Sequence, residues 1–590
     1  MASHPHPTLA AQGPHSPVLR ERIKSTLSRW LSWPRLIAIL GVAIAIWLVL
    51  VPLAALFFTA FSEDTVFGPG NFTLENFTTA YSRWHLLEMT MNSFVFAIGA
   101  AMLTLLMGAF VAWGTERTDM PGREVFHTLT LLTFALPGLL TTMAWMLILS
   151  PNVGWLNALI GNALGLKQAP FNIYTMAGMI WALAAHYFPL AYLLLGPAFR
   201  ALDVRMEEAA QTSGASQRQI TWRVTLPMMR PAVLSTLLLL FIRGLESFEV
   251  PRLIGRPARI DVFTTDIQDA VRAAPPEIGV ASALSLTLLA ICILTVFLYR
   301  RSVRNAEAFA TITGKGYKPV RMPLGRWRWP VAIAMGAMFL CTLGLPLFTL
   351  FWQSLFEKIA QPFVQSGGSM TWNNYAFVLG YPIFLDAVKT SVTLGAASAT
   401  LVVALTFLMA WVAQRQLKSF GWMLDAIAFL PIAMPSIIIG AAILFAYLIL
   451  PIPVYNTIWI LLIGYMTLYM PYGMRFASGG IAQIHRELEE AAQTSGAGQG
   501  QMVLRVLTPL LAPVALSAWI YIFVLAVREL AASIMLVGPG THVLGSISLT
   551  MWEEGGSYGA VCALGIIQIL PLILIVAVLR RLERRISNVG

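Results

Sequence analysis

Charge is what this sequence has least of. Of 590 residues only 11% are Asp, Glu, Lys or Arg, while 57% are hydrophobic. A soluble domain carries about 25% charged residues. A chain this poor in charge cannot cover a water-facing surface, which excludes an ordinary soluble domain. Cysteine is nearly absent too. Cys292, Cys341 and Cys562 each lie in an apolar stretch and none stands at metal-ligand spacing. A disulfide framework and a zinc site are therefore not expected. Only eight histidines occur, and His4, His6 and His15 fall in the N-terminal tail. No cluster of His, Cys or paired carboxylates gathers at one depth, as a membrane enzyme needs. A phosphate-binding loop is missing as well. The Gly-Lys outside the apolar runs is Gly314-Lys315, and Phe309 stands where the earlier glycine is required. No catalytic residue, metal or bound cofactor is expected for this chain.

What is there is apolar runs. A membrane helix needs about 20 mostly apolar residues. Twelve such runs predict an all-α polytopic membrane protein. They lie near 36–61, 92–113, 125–149, 173–197, 231–254 and 277–299, then near 329–353, 390–413, 421–449, 456–476, 513–537 and 557–579. The chain divides into a basic tail (1–35), a first six-helix half (36–299), a basic linker (300–328), a second half (329–579) and a basic C-terminal tail (580–590). The head is proline-rich and reads as a disordered tail. The first apolar run is too long for a signal segment, so no cleavable leader is expected.

The net charge of +11 raises the question of nucleic acid. Topology answers it. With a cytoplasmic N-terminus, about 29 of the Lys and Arg residues fall in cytoplasmic segments and about 9 in outer loops, as the positive-inside rule requires. Both termini are then cytoplasmic, and nucleic acid drops out as a partner in favour of the lipid bilayer. One outer loop dissents, with Arg252, Arg256, Arg259 and Arg272 beside Asp261, Asp266, Asp269 and Glu277.

The strongest signal is a duplication. The nonapeptide EEAAQTSGA occurs at 207–215 and again at 489–497, an offset of 282. The same offset pairs Tyr187 with Tyr469, Pro189 with Pro471, Pro227 with Pro509 and Pro231 with Pro513. Earlier in each half the offset is 298, pairing Asn76 with Asn374, Ser93 with Ser391, Trp113 with Trp411 and Pro137 with Pro435. The change falls in one outer loop, long at Pro151–Asn172 and short at Pro451–Asn456. Six spans per half put both halves the same way up, able to face each other across a pathway.

The repeated segment resembles the EAA motif of binding-protein-dependent ABC importer permeases. The first copy is Glu207-Glu208-Ala209-Ala210, Gly214, Val224 and Leu226-Pro227. The second is Glu489-Glu490-Ala491-Ala492, Gly496, Val506 and Thr508-Pro509, with Thr508 where the pattern has Leu. Alanine and glutamate favour helix. Gly214 and Gly496 suit a left-handed helix end. A second short helix is expected near Ser216 and Gly498, with Pro227 and Pro509 redirecting the chain into the membrane. The resemblance implies docking of two copies of a separate ATPase, which uses ATP and Mg, and a periplasmic substrate-binding protein. It implies a bacterial inner-membrane location. The two-half fused plan is similar to ferric-iron importers, with thiamine importers and the phosphonate, sulfate and polyamine permeases as relatives. A secondary transporter is the rival class, but it does not need EAA loops.

Charges inside spans are costly and mark functional candidates. Arg243, Glu246 and Glu249 end the fifth span of the first half, and Arg528 and Glu529 end that of the second. They either line the translocation pathway or form ion pairs that fix helix register. Pro137, Pro189, Pro431, Pro435 and Pro471 either break helices beside the pathway or are ordinary kinks. His186, near Pro189, reads as a packed or interfacial residue and not as a ligand.

Overall fold

The computed structural model describes residues 33–587, apart from 66–67, 83–84, 203, 305–321, 364–367, 417–420 and 555–557. Most of the N-terminal tail and of the linker lies outside the described residues. Apart from a hairpin of Ser62–Thr65 with Gly68–Phe72, the described elements are helices.

The first half contains α1 (Trp33–Ala60), α2 (Leu86–Arg117), α3 (Arg123–Ala135), α4 (Gly138–Leu149), α5 (Met176–Ala201), α6 (Val204–Thr212), α7 (Leu226–Glu246), α8 (Phe263–Arg272) and α9 (Ile278–Arg304). The second contains α10 (Arg328–Phe339), α11 (Leu345–Ser354), α12 (Pro382–Trp411), α13 (Gly421–Phe429), α14 (Ser436–Ile449), α15 (Ile458–Ala482), α16 (Arg486–Thr494), α17 (Thr508–Val527), α18 (Leu544–Glu553) and α19 (Tyr558–Ser587). Eight helical segments are long and apolar enough to cross a membrane, and two bent pairs bring the number to 10. Helices α15 and α19 occupy the two remaining expected positions. Helix α15 carries three tyrosines and Arg475 among its apolar residues. The basic C-terminal segment from 580 continues α19 as helix through Ser587.

One open alternative about the spans is decided and one expected boundary is corrected. The third span of each half is not one helix. It bends by 99° between α3 and α4 and by 107° before α14. Pro137 and Pro435 stand at the two breaks. Proline lacks an N–H and drives the residue before it out of the helical region. Leu136 and Met434 accordingly have ψ of 138° and 117°. Pro189 and Pro471, by contrast, stay inside continuous helices. The fifth spans also end early, at Glu246 and Val527. Arg243 and Glu246 thus occupy a last helical turn, while Glu249, Arg528 and Glu529 lie beyond one.

The first span of each half packs on the other half. Helix α1 lies against α12, α13 and α14, and α11 lies against α4. Trp47 donates to the Tyr447 hydroxyl at 3.0 Å, and Thr467 donates to the Leu48 carbonyl at 3.0 Å. Trp155 donates to the Thr349 hydroxyl at 3.0 Å. Lipid supplies no hydrophobic drive for helix association, so such bonds and close packing hold the halves together. Within the first half, α2 meets α5 closely at Gly108, where an added Cβ would stand 2.3 Å from the Ala191 Cβ.

The duplication extends to individual hydrogen bonds. Asn76 donates to the Ala60 and Ser62 carbonyls at 3.1 and 2.7 Å. Asn374 donates to those of Ser354 and Phe356 at 2.9 and 2.8 Å. The Ser93 hydroxyl accepts from Phe263 N–H at 3.1 Å, and that of Ser391 from Leu544 N–H at 2.8 Å. Each pair ties the end of a first span, or the start of a second, to the same place in its own half.

The dissenting arginine-rich loop is folded into ion pairs. Arg252 meets Asp269 at 3.3 Å and, across the halves, Glu553 at 2.6 Å. Arg256 meets Asp261 at 2.7 Å, and Asp266 meets His85 at 2.7 Å. Acidic partners count little toward the positive-inside rule, so the loop stays an exception to it.

Candidate functional site

The two EAA copies adopt one shape. Helices α6 and α16 are nine residues each and end at Thr212 and Thr494. Gly214 and Gly496 follow with φ of 84° and 86°. Ala215 N–H then returns to the Ala210 carbonyl, and Ala497 N–H to that of Ala492, both at 3.0 Å. This is the left-handed helix end for which glycine is suited. Short helices Gln217–Ile220 and Gln499–Met502 come next. The chain does not break at the prolines, as the sequence suggested. A five-residue π-helical turn, Thr221–Thr225 or Val503–Leu507, runs straight into α7 or α17. Pro227 and Pro509 sit in the first turn of those helices, where a missing N–H costs little.

The exposed face is shared residue by residue. Ala209 and Ala491 are exposed, as are Gly214, Gly496, Pro227 and Pro509. Ala210 and Ala492 are half-buried, and Glu490 is exposed. Glu208 lies on α6 beside these residues. Glu207 and Glu489 turn the other way. Glu207 pairs with Arg117 at the end of α2 and accepts from the Thr225 hydroxyl at 2.7 Å. Glu489 pairs with Arg415 at 2.6 Å. Arg415 also donates to the Ile481 and Ile484 carbonyls at 3.2 and 2.8 Å. These arginines were absent from the sequence reading. The signal was available, since 117 and 415 are separated by the same offset of 298. The returning linker is tied to the same corner: Met322 N–H donates to the Arg117 carbonyl at 2.8 Å.

The second group of charges gathers between the halves. Arg243 pairs with Glu246 at 2.8 Å and reaches across to the Tyr472 hydroxyl. Arg528 reaches the opposite way. It donates to the carbonyls of Phe134 and Leu136 at 2.6 and 3.4 Å, at the break in the first half's third span. Its guanidinium carbon lies 5.2 Å from the Phe134 ring centroid. Glu529 accepts from the Tyr469 hydroxyl at 3.1 Å and from Ala532 N–H at 3.0 Å. Glu249 lies against Gly138. Glu246 and Arg528, equivalent by position, are thus not partners of each other. Both arginines instead cross the interface, so the cluster does more than fix the register of single helices. Among the described residues no three His, Cys, Asp or Glu side chains meet as a metal site.

Two six-helix units, each with this hairpin and a charged fifth-span end, match a known family twice. Residues 104–307 and 402–588 each fit the family described as the binding-protein-dependent transport system inner membrane component. The chain belongs to this family. Each matched segment holds one EAA hairpin and one charged fifth-span end. The two matches begin 298 residues apart, the offset read from Asn76 and Asn374. Membership makes the chain a multi-pass inner-membrane transport component, and the family is one of permeases, not enzymes. The ferric transport system permease protein FbpB of Actinobacillus pleuropneumoniae is 24% identical over 547 residues, 91% of this chain and 77% of that protein. The Fe(3+)-transport system permease protein FbpB 2 of Haemophilus influenzae is 21% identical over 474 residues, 80% of this chain and 85% of that protein. The "Putative 2-aminoethylphosphonate transport system permease protein PhnV" of Salmonella typhimurium is 28% identical over 263 residues, 97% of that protein and 44% of this chain.

Proposed function

We propose that this chain is the translocation component of an ATP-driven importer that brings ferric iron into the cytoplasm. A periplasmic binding protein delivers the cargo. Two copies of one ATPase subunit, which hold ATP and Mg, dock on the two EAA hairpins. Both termini lie in the cytoplasm with the hairpins. The hairpins support the ATPase reading, because two surfaces of one shape suit two copies of one partner. The cargo reading is carried by relatives that match along most of the chain, among them the ferric transport permeases of Actinobacillus pleuropneumoniae and Haemophilus influenzae.

Uptake decides between cargoes. A deletion strain is expected to lose accumulation of radiolabelled ferric iron and to regain it with the gene restored. Loss of 2-aminoethylphosphonate uptake with iron uptake intact would overturn the cargo assignment.

The hairpins make a separate prediction. Nothing lies within 4 Å of a Cβ placed on Gly214 or Gly496, so substitution there meets only backbone strain. A left-handed residue with a side chain costs about 1–2 kcal/mol, least for Asn. The double Gly→Val variant is therefore expected to lose most of its bound ATPase on purification, and the double Gly→Asn variant to keep it. Equal retention by both would show that the turn does not shape the docking surface.

A further inference from the structure

His186 looked like a packing residue in the sequence. Its surroundings make it more than that. Helix α4 opens at Gly138, directly after the break at Pro137. A Cβ added at Gly138 would lie 2.4 Å from Glu249 Oε2 and 3.2 Å from His186 Nε2. A carboxylate from beyond α7 and an imidazole from α5 therefore converge on one bare Cα. The Nε2 edge of His186 faces Gly138, while Nδ1, on the other side of the ring, is buried without a hydrogen-bond partner. Buried polar groups are nearly always paired, and an orphan calls for a specific cause such as a bound water or ion. Arg528 of the second half caps the same break, so its positive charge stands beside the pair and weakens the hold on any cation there.

We infer that Glu249, His186 and the bare Cα of Gly138 form a transient station for a hard, multiply charged cation on its way between the halves. The inference rests on the cationic cargo proposed above. Carboxylate oxygen suits such an ion. The imidazole holds a water or hydroxide that the cation carries. Gly138 leaves the room that any side chain would fill. The cluster around the station holds Glu246, Glu249 and Glu529 beside Arg243 and Arg528. Conduction needs a site attractive enough to enter and weak enough to leave. A pair of donors beside the Arg528 guanidinium fits a station that releases its ion.

Terbium(III) tests the station without relying on transport. Its luminescence is sensitised by nearby aromatic rings, and the Tyr187 ring centroid lies 4.7 Å from that of His186. The purified full-length chain in detergent is expected to give a saturable signal. Gly138→Ala and Glu249→Gln should each weaken it about tenfold or more, the loss of one strong contact. Glu75→Gln, on an exposed short helix, serves as the remote carboxylate control and should leave it unchanged. Size-exclusion profiles matching the wild type show that the variants are folded. Should either variant misfold, His186→Ala provides the same comparison. No saturable binding by the wild type, or equal binding by the folded variants, overturns the station. Loss of the cargo reading looks different: terbium binding persists while cells fail to take up ferric iron.

Discussion

Replacing Arg117 and Arg415 together with alanine is expected to strip the ATPase from the purified complex while the permease stays folded in the membrane. Helices α6 and α16 have nine residues each, too short to be stable alone. Their inner faces are held by Glu207 and Glu489. In these pairs the arginine side chains are 6% and 11% exposed and the glutamates 16% and 10%. Removing one partner of a buried pair strands the other charge, at about 3–5 kcal/mol. That exceeds what a short helix can absorb. The two copies should differ. Thr225 still holds Glu207 when Arg117 is gone, whereas Arg415 is also the donor to two carbonyls of its own half. Arg415→Ala alone should therefore release more ATPase than Arg117→Ala alone. The exchange Arg117→Glu with Glu207→Arg should restore binding. Co-purification at wild-type stoichiometry in the double alanine variant would show that docking does not depend on these inward pairs.

These arginines mark the limit of what the sequence disclosed. The twelve helical positions were legible because membrane spans need long apolar runs, and nothing else in a chain of this composition looks like them. The hairpins were legible because nine residues repeat unbroken. Arg117 was not, because its partner lies 90 residues away in the chain and an arginine at a cytoplasmic span end already has a sufficient explanation in topology. The breaks at Pro137 and Pro435 were not separable from the unbroken helices at Pro189 and Pro471. Proline is tolerated in membrane helices, and whether it breaks one is decided by the groups that take up the freed carbonyls. At Pro137 that group is Arg528, from the other half. The exchange of first spans between halves was equally hidden, since chain order does not state which neighbour a helix packs on.

The same dependence of one half on the other suggests how closure is built. Each fifth span ends in an arginine that bonds the opposite half: Arg243 to Tyr472, Arg528 to Phe134 and Leu136. Glu553 and Arg252 add a third crossing in the loops beyond the fifth spans. The first spans, by contrast, are interlocked mainly through packing, α1 against α14 and α11 against α4. A passage between the halves can thus open by exchanging a few polar contacts while the interlocked helices keep the two halves together. Packed helices move as units, and ionic contacts are the parts that have two discrete arrangements.

Arg528→Met is therefore expected to uncouple ATP hydrolysis from delivery. The substitution keeps the length of the side chain and removes its donors. The Phe134 and Leu136 carbonyls, freed by the break at Pro137, are left without their donor. A hydrogen bond to a charged group contributes about 1.5–3 kcal/mol, and a stranded carbonyl costs about 1–3 kcal/mol. The closed arrangement loses these bonds, whereas an opened one, in which Arg528 has already let go, loses nothing. A shift of about 1.4 kcal/mol is tenfold in such an equilibrium. In proteoliposomes holding the complete complex, basal ATP hydrolysis should rise about tenfold, and cargo carried per ATP should fall. Arg243 still crosses to Tyr472, so the halves should remain associated. Arg528→Lys should fall between, because an ammonium is a point charge that reaches one carbonyl and lacks the planar face to lie over Phe134. If Arg528→Met keeps both low basal hydrolysis and wild-type uptake, the contact with the broken span is packing and the gate lies elsewhere in the interface.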